Sequence, residues 1–304
     1  MQHIHDKFQW DDLRYILAVA RAGSVSGAAQ SLNVDHTTVS RRVTRAEQLF
    51  NAALFDRTRA GYVPTTAGAH VVELAKEMES ALIRCEGEVA NRNDDLSGAV
   101  RIAAPDGLGS LFLAPRLARL CSHHPNLNVL IYPSQLRYSL AEREVDIGIS
   151  LQKPNSGRLT ARRLITYRIR LYASRAFVEH HQMPKSFEDL QKAPLVGYIG
   201  NLGVTPTVDF LPMLPVKVSA GFTSSNITAQ ISAVEAGVGI AFLPDFVTEG
   251  RENLLPVPLD FVIDREFWLM VHEDNRNVAR VQSVAEFIHN EVRACRGIFK
   301  LETI

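Results

Sequence analysis

Residues 24–45 constrain the fold most, because they have the pattern of two short helices joined by a tight turn. Ser24 is typical of a helix N-cap, and Asn33 is typical of the left-handed residue that ends a helix. Asp35 can then cap the second helix, since its carboxylate accepts the free N–H groups of the first turn. Apolar residues recur along this second helix at intervals of four and three positions, at Val39, Val43 and Ala46. The spacing predicts one buried face and one exposed face.

This pattern predicts a helix-turn-helix, whose second helix can enter the major groove of DNA. The side chains that we expect outside the apolar face are candidate DNA contacts: His36, Thr37, Thr38, Arg41 and Arg42. A helical hairpin that only packs is the alternative, because the same geometry also occurs in enzymes. The charge distribution favours DNA, since residues 36–59 carry five arginines against one glutamate and one aspartate, while the whole chain has a formal net charge of zero.

The flanking sequence completes a small domain. Residues 11–22 predict a first helix that ends at Gly23, and LFDRTRAGYV predicts a two-stranded wing. Arg57 and Arg59 fall near the turn of this wing, where an arginine can reach phosphates or a minor groove. We therefore expect a winged helix-turn-helix DNA-binding domain over residues 1–66.

A long helix is expected over residues 67–95, with Thr65 as its cap. Its apolar positions recur every three or four residues and form one narrow seam: Val71, Leu74, Met78, Ala81, Cys85 and Val89. A lone helix with such a seam needs a partner surface to bury it. The helix can pack on its own head domain, but we expect it to be a linker through which two chains dimerise.

From residue 96 to residue 304, predicted strands alternate with predicted helices, which indicates βαβ units and a parallel sheet. The alternation is long for one small sheet. We therefore expect two sub-domains, one formed by about residues 98–162 with 267–304 and the other by about residues 163–266.

Ligands of open α/β sheets bind at the carboxyl ends of the strands. Residues 105–110 form such a loop, and the hydroxyl-rich residues 223–226 also lead into a helix. The candidate effector contacts at these strand ends are Asp106, Gly107, Leu108, Ser110, Ser134, Ser150, Thr223, Ser224 and Ser225. Each loop taken alone can equally be a helix cap. We expect Asp106 to cap its own helix, and a ligand contact is the alternative.

Signatures of catalysis and metal binding are missing from the sequence. It has no G-x-S-x-G elbow, no P-loop and no complete dinucleotide fingerprint, and its three cysteines are scattered. The first residues lack the apolar core of a signal peptide, and no apolar run approaches the roughly 20 residues that span a bilayer. We therefore expect a cytoplasmic protein that is not an enzyme, with no cofactor, no metal and no membrane partner.

Several short motifs resemble one known family. In the first 70 residues these are AA at 28–29, Leu32, VSR at 39–41, LFDR at 54–57 and PTTAG at 64–68. Further along they are VRIAAP at 100–105, VDIGI at 145–149 and AGVGI at 236–240. Together these motifs resemble those of the LysR-type transcriptional regulators, over nearly the whole chain.

The resemblance implies a mixed α/β chain with a winged helix-turn-helix head, a linker helix and a two-lobed, Rossmann-like effector-binding domain similar to periplasmic binding proteins. It also implies a sequence-specific regulator of promoter DNA that responds to an unidentified small molecule, in a tetramer built as a dimer of dimers. The chain departs from the family pattern at His36, where the family often has glutamine, and at Asp106, where serine or threonine is frequent.

Two other classes remain as alternatives. A two-lobed solute-binding protein predicts an export signal and no DNA-binding head. An enzyme with an N-terminal docking module predicts a catalytic constellation.

Overall fold

The computed structural model describes residues 9–58, 61–90, 96–133, 145–154, 159–199 and 208–300; at 83, 84 and 86–90 it describes the backbone alone. The chain divides into two compact units, Met1–Val89 and Ala90–Ile304. No helix in the described residues is both long enough and apolar enough to cross a membrane.

The N-terminal unit begins with three helices and a wing, as predicted. The helices are α1 (Trp10–Ala22), α2 (Val25–Leu32) and α3 (His36–Phe50), and the antiparallel wing consists of β1 (Phe55–Thr58) and β2 (Gly61–Pro64). The long helix α4 (Thr66–Ala90) follows.

The predicted caps explain where these helices start and stop. Ser24 accepts a hydrogen bond from the N–H of Gly27, and Asp35 accepts one from the N–H of Thr37. Asn33 ends α2 in the left-handed conformation with φ of 53°. These local hydrogen bonds define a turn of only three residues between α2 and α3, so the two helices cross closely.

The wing docks on the end of α1. The N–H of Tyr62 donates a 2.8 Å hydrogen bond to the carbonyl of Gly23. Gly61 has a φ of 115°, and a Cβ at this position would collide with the same carbonyl oxygen. Glycine is therefore required at position 61 by both its backbone conformation and this close approach.

The helices α1 to α3 and the wing form the head of the protein. One side of α4 packs into the core of this head. Val72 and Ala75 are buried in it, and Val71 and Met78 pack against it. Leu74 points away and is 58% exposed. The predicted apolar seam of α4 is therefore divided, because part of it is buried within its own chain and part remains exposed.

The C-terminal unit is a mixed α/β fold, as predicted. Its strands are β3 (Gly98–Ala104), β4 (Leu127–Pro133), β5 (Ile147–Ser150), β6 (Leu159–Ser174), β7 (Val196–Tyr198), β8 (Phe222–Ser224), β9 (Ala241–Pro244), β10 (Leu254–Pro256) and β11 (Ile263–His272). Its α-helices are α5 (Ala114–His123), α6 (Arg175–His180), α7 (Phe187–Lys192), α8 (Ile227–Glu235), α9 (Asp245–Thr248) and α10 (Ala279–Ala294). Short helical turns of other types cover Leu108–Leu113, Leu211–Met213, Glu273–Asn275 and Arg296–Phe299.

One seven-stranded sheet runs through this unit in the order β10-β6-β11-β5-β3-β4, and β9 also pairs with β6. β3 is parallel to β4 and β5, whereas β11 is antiparallel to β5 and β6. β7 and β8 form a separate parallel pair. The first half of β6 lies beside the part of β11 that pairs with β5, and its last residues pair with β9 and β10.

The long strands β6 and β11 therefore connect two groups of elements. The expected sub-domain boundary between residues 162 and 163 falls inside β6, which is a continuous strand of 16 residues. The pairing of β6 with β11 continues across this boundary, with a shift in register between Phe267 and Trp268, and the last six residues of β6 are all buried.

The helix expected directly after residue 107 has an irregular start. Leu108–Leu113 forms a π-helical turn, and the regular helix α5 begins at Ala114. Pro115 has no N–H to donate to the carbonyl four residues earlier, so the regular pattern of α5 cannot extend back through this turn. Leu108, the first residue of this turn, is fully buried.

Candidate functional site

The exposed face of α3 carries a polar stripe. Thr37, Arg41, Thr44 and Gln48 are exposed at intervals of four, three and four positions, so they align along one side of the helix. Together with His36, Ser40 and Arg45 they line a shallow depression on the surface of the head. The opposite side of α3 is buried through Val39, Val43 and Ala46.

Three of the predicted contacts line this depression, namely His36, Thr37 and Arg41, and the last two belong to the stripe. Thr38 is half-buried and lies outside the depression. The prediction did not include Ser40, Thr44, Arg45 or Gln48, although the helical period places Thr44 and Gln48 one and two turns beyond Arg41. Extending that period from Arg41 would have found both of them.

Arg42 was predicted to point outward, and this was wrong. Its guanidinium donates a 2.9 Å hydrogen bond to Oδ1 of Asp12 and lies over the ring of Tyr15, with 5.4 Å to the ring centroid. The side chain of Asp12 is fully buried, and this hydrogen bond raises the pKa of Arg42 above its usual value. Arg42 lies three residues after Val39, at the edge of the buried face, so its side chain turns towards α1.

The start of α3 is held by Asp35. Its Oδ1 accepts hydrogen bonds from the hydroxyl of Thr37 at 2.6 Å and from the N–H of Thr37 at 2.8 Å. The hydroxyl hydrogen bond and then the N–H lower the pKa of Asp35 below its usual value. The cap therefore remains ionised at the positive end of the helix, and it orients Thr37 at the beginning of the stripe.

The wing presents a cation separately from α3. Arg57 is exposed on β1, and its guanidinium lies 5.5 Å from the ring centroid of Tyr62. This stacking holds the side chain extended at the surface of the wing. Arg59, the second predicted wing contact, lies outside the described residues.

In the C-terminal unit, the two predicted effector loops meet at Asp106. Its Oδ2 accepts the N–H of Ile227, the first residue of α8, at 3.0 Å, and its Oδ1 accepts the hydroxyl of Ser110 at 3.2 Å. Asp106 was expected to cap its own helix, but its carboxylate accepts the first N–H of α8 instead, beside the N-cap residue Asn226, whose side chain accepts the N–H of Ala229. The physical reason is that β3 brings the loop against the start of α8, which has free N–H groups.

The hydroxyl cluster before α8 is tied to its surroundings. Ser224 accepts the N–H of Asn226 at 3.1 Å, and the carbonyl of Ser225 accepts the hydroxyl of Tyr198 at 2.6 Å. Thr223 is exposed. The buried side chain of Gln230 donates a 2.9 Å hydrogen bond to the carbonyl of Ser224. Tyr198 and Gln230 were not predicted, because no local motif marks them.

Burial, followed by the nearby charge of Asp106, raises the pKa of Tyr198 to about 12. Its hydroxyl is therefore neutral near pH 7 and donates its proton to the carbonyl of Ser225. The two loops and Tyr198 thus bring one carboxylate, one phenol and several hydroxyl groups close together.

The remaining predicted effector contacts have different surroundings. Leu108 is fully buried, so its side chain packs in the core and the prediction of a ligand contact was wrong. Gly107 is close to α8, since a Cβ there would lie 3.2 Å from Cγ2 of Ile227. The hydroxyl of Ser150 accepts the N–H of Gln152 at 2.9 Å, which stabilises the turn after β5. Ser134 lies outside the described residues.

Across the described ranges, no three histidine, cysteine, aspartate or glutamate side chains come together in a way that could hold a metal ion.

Two family models match the chain. Residues 10–69 match the bacterial regulatory helix-turn-helix protein of the lysR family, and residues 93–293 match the LysR substrate binding domain. The exposed stripe of α3 falls in the first match, and Asp106 and α8 fall in the second.

Two relatives that match over most of their length are named as transcriptional regulators. The chain is 26% identical over 289 residues to the HTH-type transcriptional regulator CrgA of Neisseria meningitidis serogroup C, covering 93% of this chain and 96% of CrgA. It is 29% identical over 273 residues to the Mau operon transcriptional activator of Paracoccus denitrificans, covering 88% of this chain and 91% of that protein.

Solved structures share the fold. The structure of CrgA from Neisseria meningitidis, a LysR-type transcriptional regulator, superposes with a TM-score of 0.58 at 24% identity, covering 94% of this chain and 99% of that one. A full-length OxyR variant from Pseudomonas aeruginosa superposes with a TM-score of 0.66 at 18% identity, covering 94% and 95% of the two chains.

Proposed function

The chain belongs to the LysR family of DNA-binding transcriptional regulators, which are not enzymes, and we propose on this premise that the exposed stripe of α3 reads its operator in promoter DNA. The stripe is the observation that carries the proposal. It places an arginine, two threonines and a glutamine on one side of a helix whose other side is buried in the head.

The chemistry of the stripe suits base recognition in the major groove. Arginine donates two hydrogen bonds to guanine, glutamine pairs with adenine, and the methyl group of threonine contacts that of thymine. Arg41 and Gln48 are therefore the candidates for base recognition. Thr44 lies between them on the stripe, and Thr37 lies one turn before Arg41. Arg57 on the wing is placed to contact phosphates, which position the protein without reading sequence.

For the effector-binding domain, we propose that a small molecule binds where the loop after β3 faces the start of α8. The supporting observation is the convergence of polar groups there: Asp106, Ser110, Tyr198 and the exposed Thr223. Such a mixture of a few polar groups between two groups of elements is typical of small-molecule sites in α/β folds.

For the assembly, we propose that α4 pairs with α4 of a second chain through its exposed apolar residues. Leu74 is 58% exposed and Leu82 is 65% exposed, and Ala81 and Cys85 are exposed near them. Val71 and Met78, which were predicted to lie in the seam, pack against the head instead. Two such dimers would form the tetramer that the resemblance implies, in the cytoplasm where promoter DNA is located.

The experiment is a gel shift and a nuclease footprint on the DNA upstream of the protein's own gene, with scrambled DNA of the same length as a comparison. The proposal predicts a discrete protected site and a higher affinity for that site than for scrambled DNA. The Arg163→Ala protein is the matched control for arginine substitutions in α3. Arg163 is an exposed arginine paired with Glu266 in the C-terminal unit, so its loss should not change the affinity for DNA. Equal affinity for both DNAs would contradict sequence-specific reading.

A further inference from the structure

The carboxylate of Asp106 joins the two halves of the proposed effector site. The residue is only 5% exposed, and its two carboxylate oxygens accept hydrogen bonds from the N–H of Ile227 and the hydroxyl of Ser110. The free N–H groups at the start of a helix are where an external carboxylate or phosphate would ordinarily bind. In this chain a side chain of the protein already occupies one of them.

Within the described ranges, the charge of Asp106 is not compensated by a cationic side chain. Among the residues that the structure describes, no lysine, arginine or histidine forms an ion pair with it, and its hydrogen-bond donors are an N–H and a hydroxyl. The positive end of the nine-residue helix α8 therefore provides its stabilisation. A second negative group brought beside it would meet an unscreened charge in a buried setting.

The packing around Asp106 is tight. A Cβ added at Gly107 would lie 3.2 Å from Cγ2 of Ile227 and 3.4 Å from Cγ1 of Val247. The loop is thus in close contact with both α8 and α9. An anionic ligand would have to displace the carboxylate of Asp106 to reach the N–H of Ile227.

We propose that Asp106 is a built-in anion that fills the anion-binding end of α8, so that this protein selects against carboxylate and phosphate effectors and favours neutral or cationic ones. The inference rests on the proposed function, in which the effector binds between this loop and α8. A hydroxyl or ammonium group of the effector would be attracted by the charge that repels an anion. Asp106 is therefore a specificity-determining residue of the site.

The test removes the side-chain carboxylate of Asp106 and supplies a small carboxylate in solution. In the full-length Asp106→Ala protein, the space left by the carboxylate is open and the N–H of Ile227 is unpaired. Formate is the probe, because it has the size of the missing group. Melting temperatures are measured in sodium formate and in sodium chloride at the same ionic strength. We expect formate to raise the melting temperature of Asp106→Ala saturably relative to chloride and to leave the parent unchanged.

A matched control removes another carboxylate that caps a helix. Asp189 accepts the N–H groups of Lys185 and Ser186 before α7, and it is exposed. We expect the melting temperature of Asp189→Ala to show no saturable difference between formate and chloride. Removal of this exposed carboxylate leaves no enclosed space for formate. If Asp106→Ala does not fold, Asp106→Ser serves in its place, since serine is also smaller than aspartate and has no charge.

The outcome is decided by comparing the variant with the parent. A saturable response to formate in the Asp106 variant alone supports the proposal. Equal responses of the parent and the variant, whether both are present or both are absent, overturn it. Operator binding of the parent is measured in a separate gel shift. If the parent does not bind its operator specifically, the proposed reading of DNA is refuted, while the formate comparison, made without DNA, still decides the role of Asp106.

Discussion

Arg42 of α3 and Asp12 of α1 form an ion pair with 2.9 Å between Nη1 and Oδ1, and the carboxylate of this pair is fully buried. The neighbouring Arg41 is exposed, about 100° further around the same helix turn. Two adjacent arginines thus have different surroundings. We expect Arg42 to stabilise the head and Arg41 to recognise DNA.

Arg42→Ala should lower the free energy of unfolding of the head by about 1–3 kcal/mol, because it removes the hydrogen bond to the buried carboxylate of Asp12 and leaves Arg45, 3.9 Å away, as its ion-pair partner. Urea unfolding followed by circular dichroism measures this loss. In an Asp12→Asn background the same substitution should cost less, since no buried charge remains to be compensated. Equal costs in both backgrounds would show that the two residues are not coupled.

The assembly of the protein should depend on Leu74. Leu74→Glu places a charge in the proposed α4 interface, so the mass measured by light scattering should shift towards that of a monomer. Within the single chain the residue is exposed, so the stability of the head should change by about 0.5 kcal/mol or less. Met78→Ala is the contrasting variant, because Met78 packs against the head and its truncation should destabilise the head. An unchanged mass for Leu74→Glu would exclude this face of α4 as the interface.

His289 in α10 should make stability depend on pH. Burial, followed by the charges of Arg162 and Arg293, lowers its pKa below the ordinary value of 6.5. The unfolded chain then binds more protons than the folded chain as pH falls below 6.5, so this residue makes the protein less stable in that range. Above that pH its contribution is constant.

Thermal melting of the parent and of His289→Gln across this range measures the effect. The stability of the variant should fall less steeply with decreasing pH than that of the parent. Parallel profiles would mean that His289 titrates alike in the folded and unfolded chains.

The local structure of the head could be predicted from the sequence, because its signals are close together in the chain. Ser24, Asn33 and Asp35 act on backbone groups within a few residues of themselves, and the helical period places Val39 and Val43 in the core. Such short-range rules do not depend on the rest of the fold.

The errors arose where a partner comes from far along the chain. Arg42 lies at the edge of the apolar face, and its partner in α1 is 30 residues away. Asp106 caps a helix that begins 121 residues later, a pairing that only the sheet topology creates. The continuity of β6 across both groups of elements likewise depends on β9, β10 and β11, which follow it much later in sequence.

The most direct test of DNA reading by α3 is the affinity of Arg41→Ala for operator DNA and for scrambled DNA, measured at one salt concentration. Because Arg41 is proposed to contact a base edge, its loss should weaken operator binding by about 1–3 kcal/mol, a factor of about 10–100. Its binding to scrambled DNA should change much less, and its unfolding curve should match that of the parent. If Arg41→Ala binds the operator as tightly as the parent does, the exposed stripe of α3 does not read the sequence.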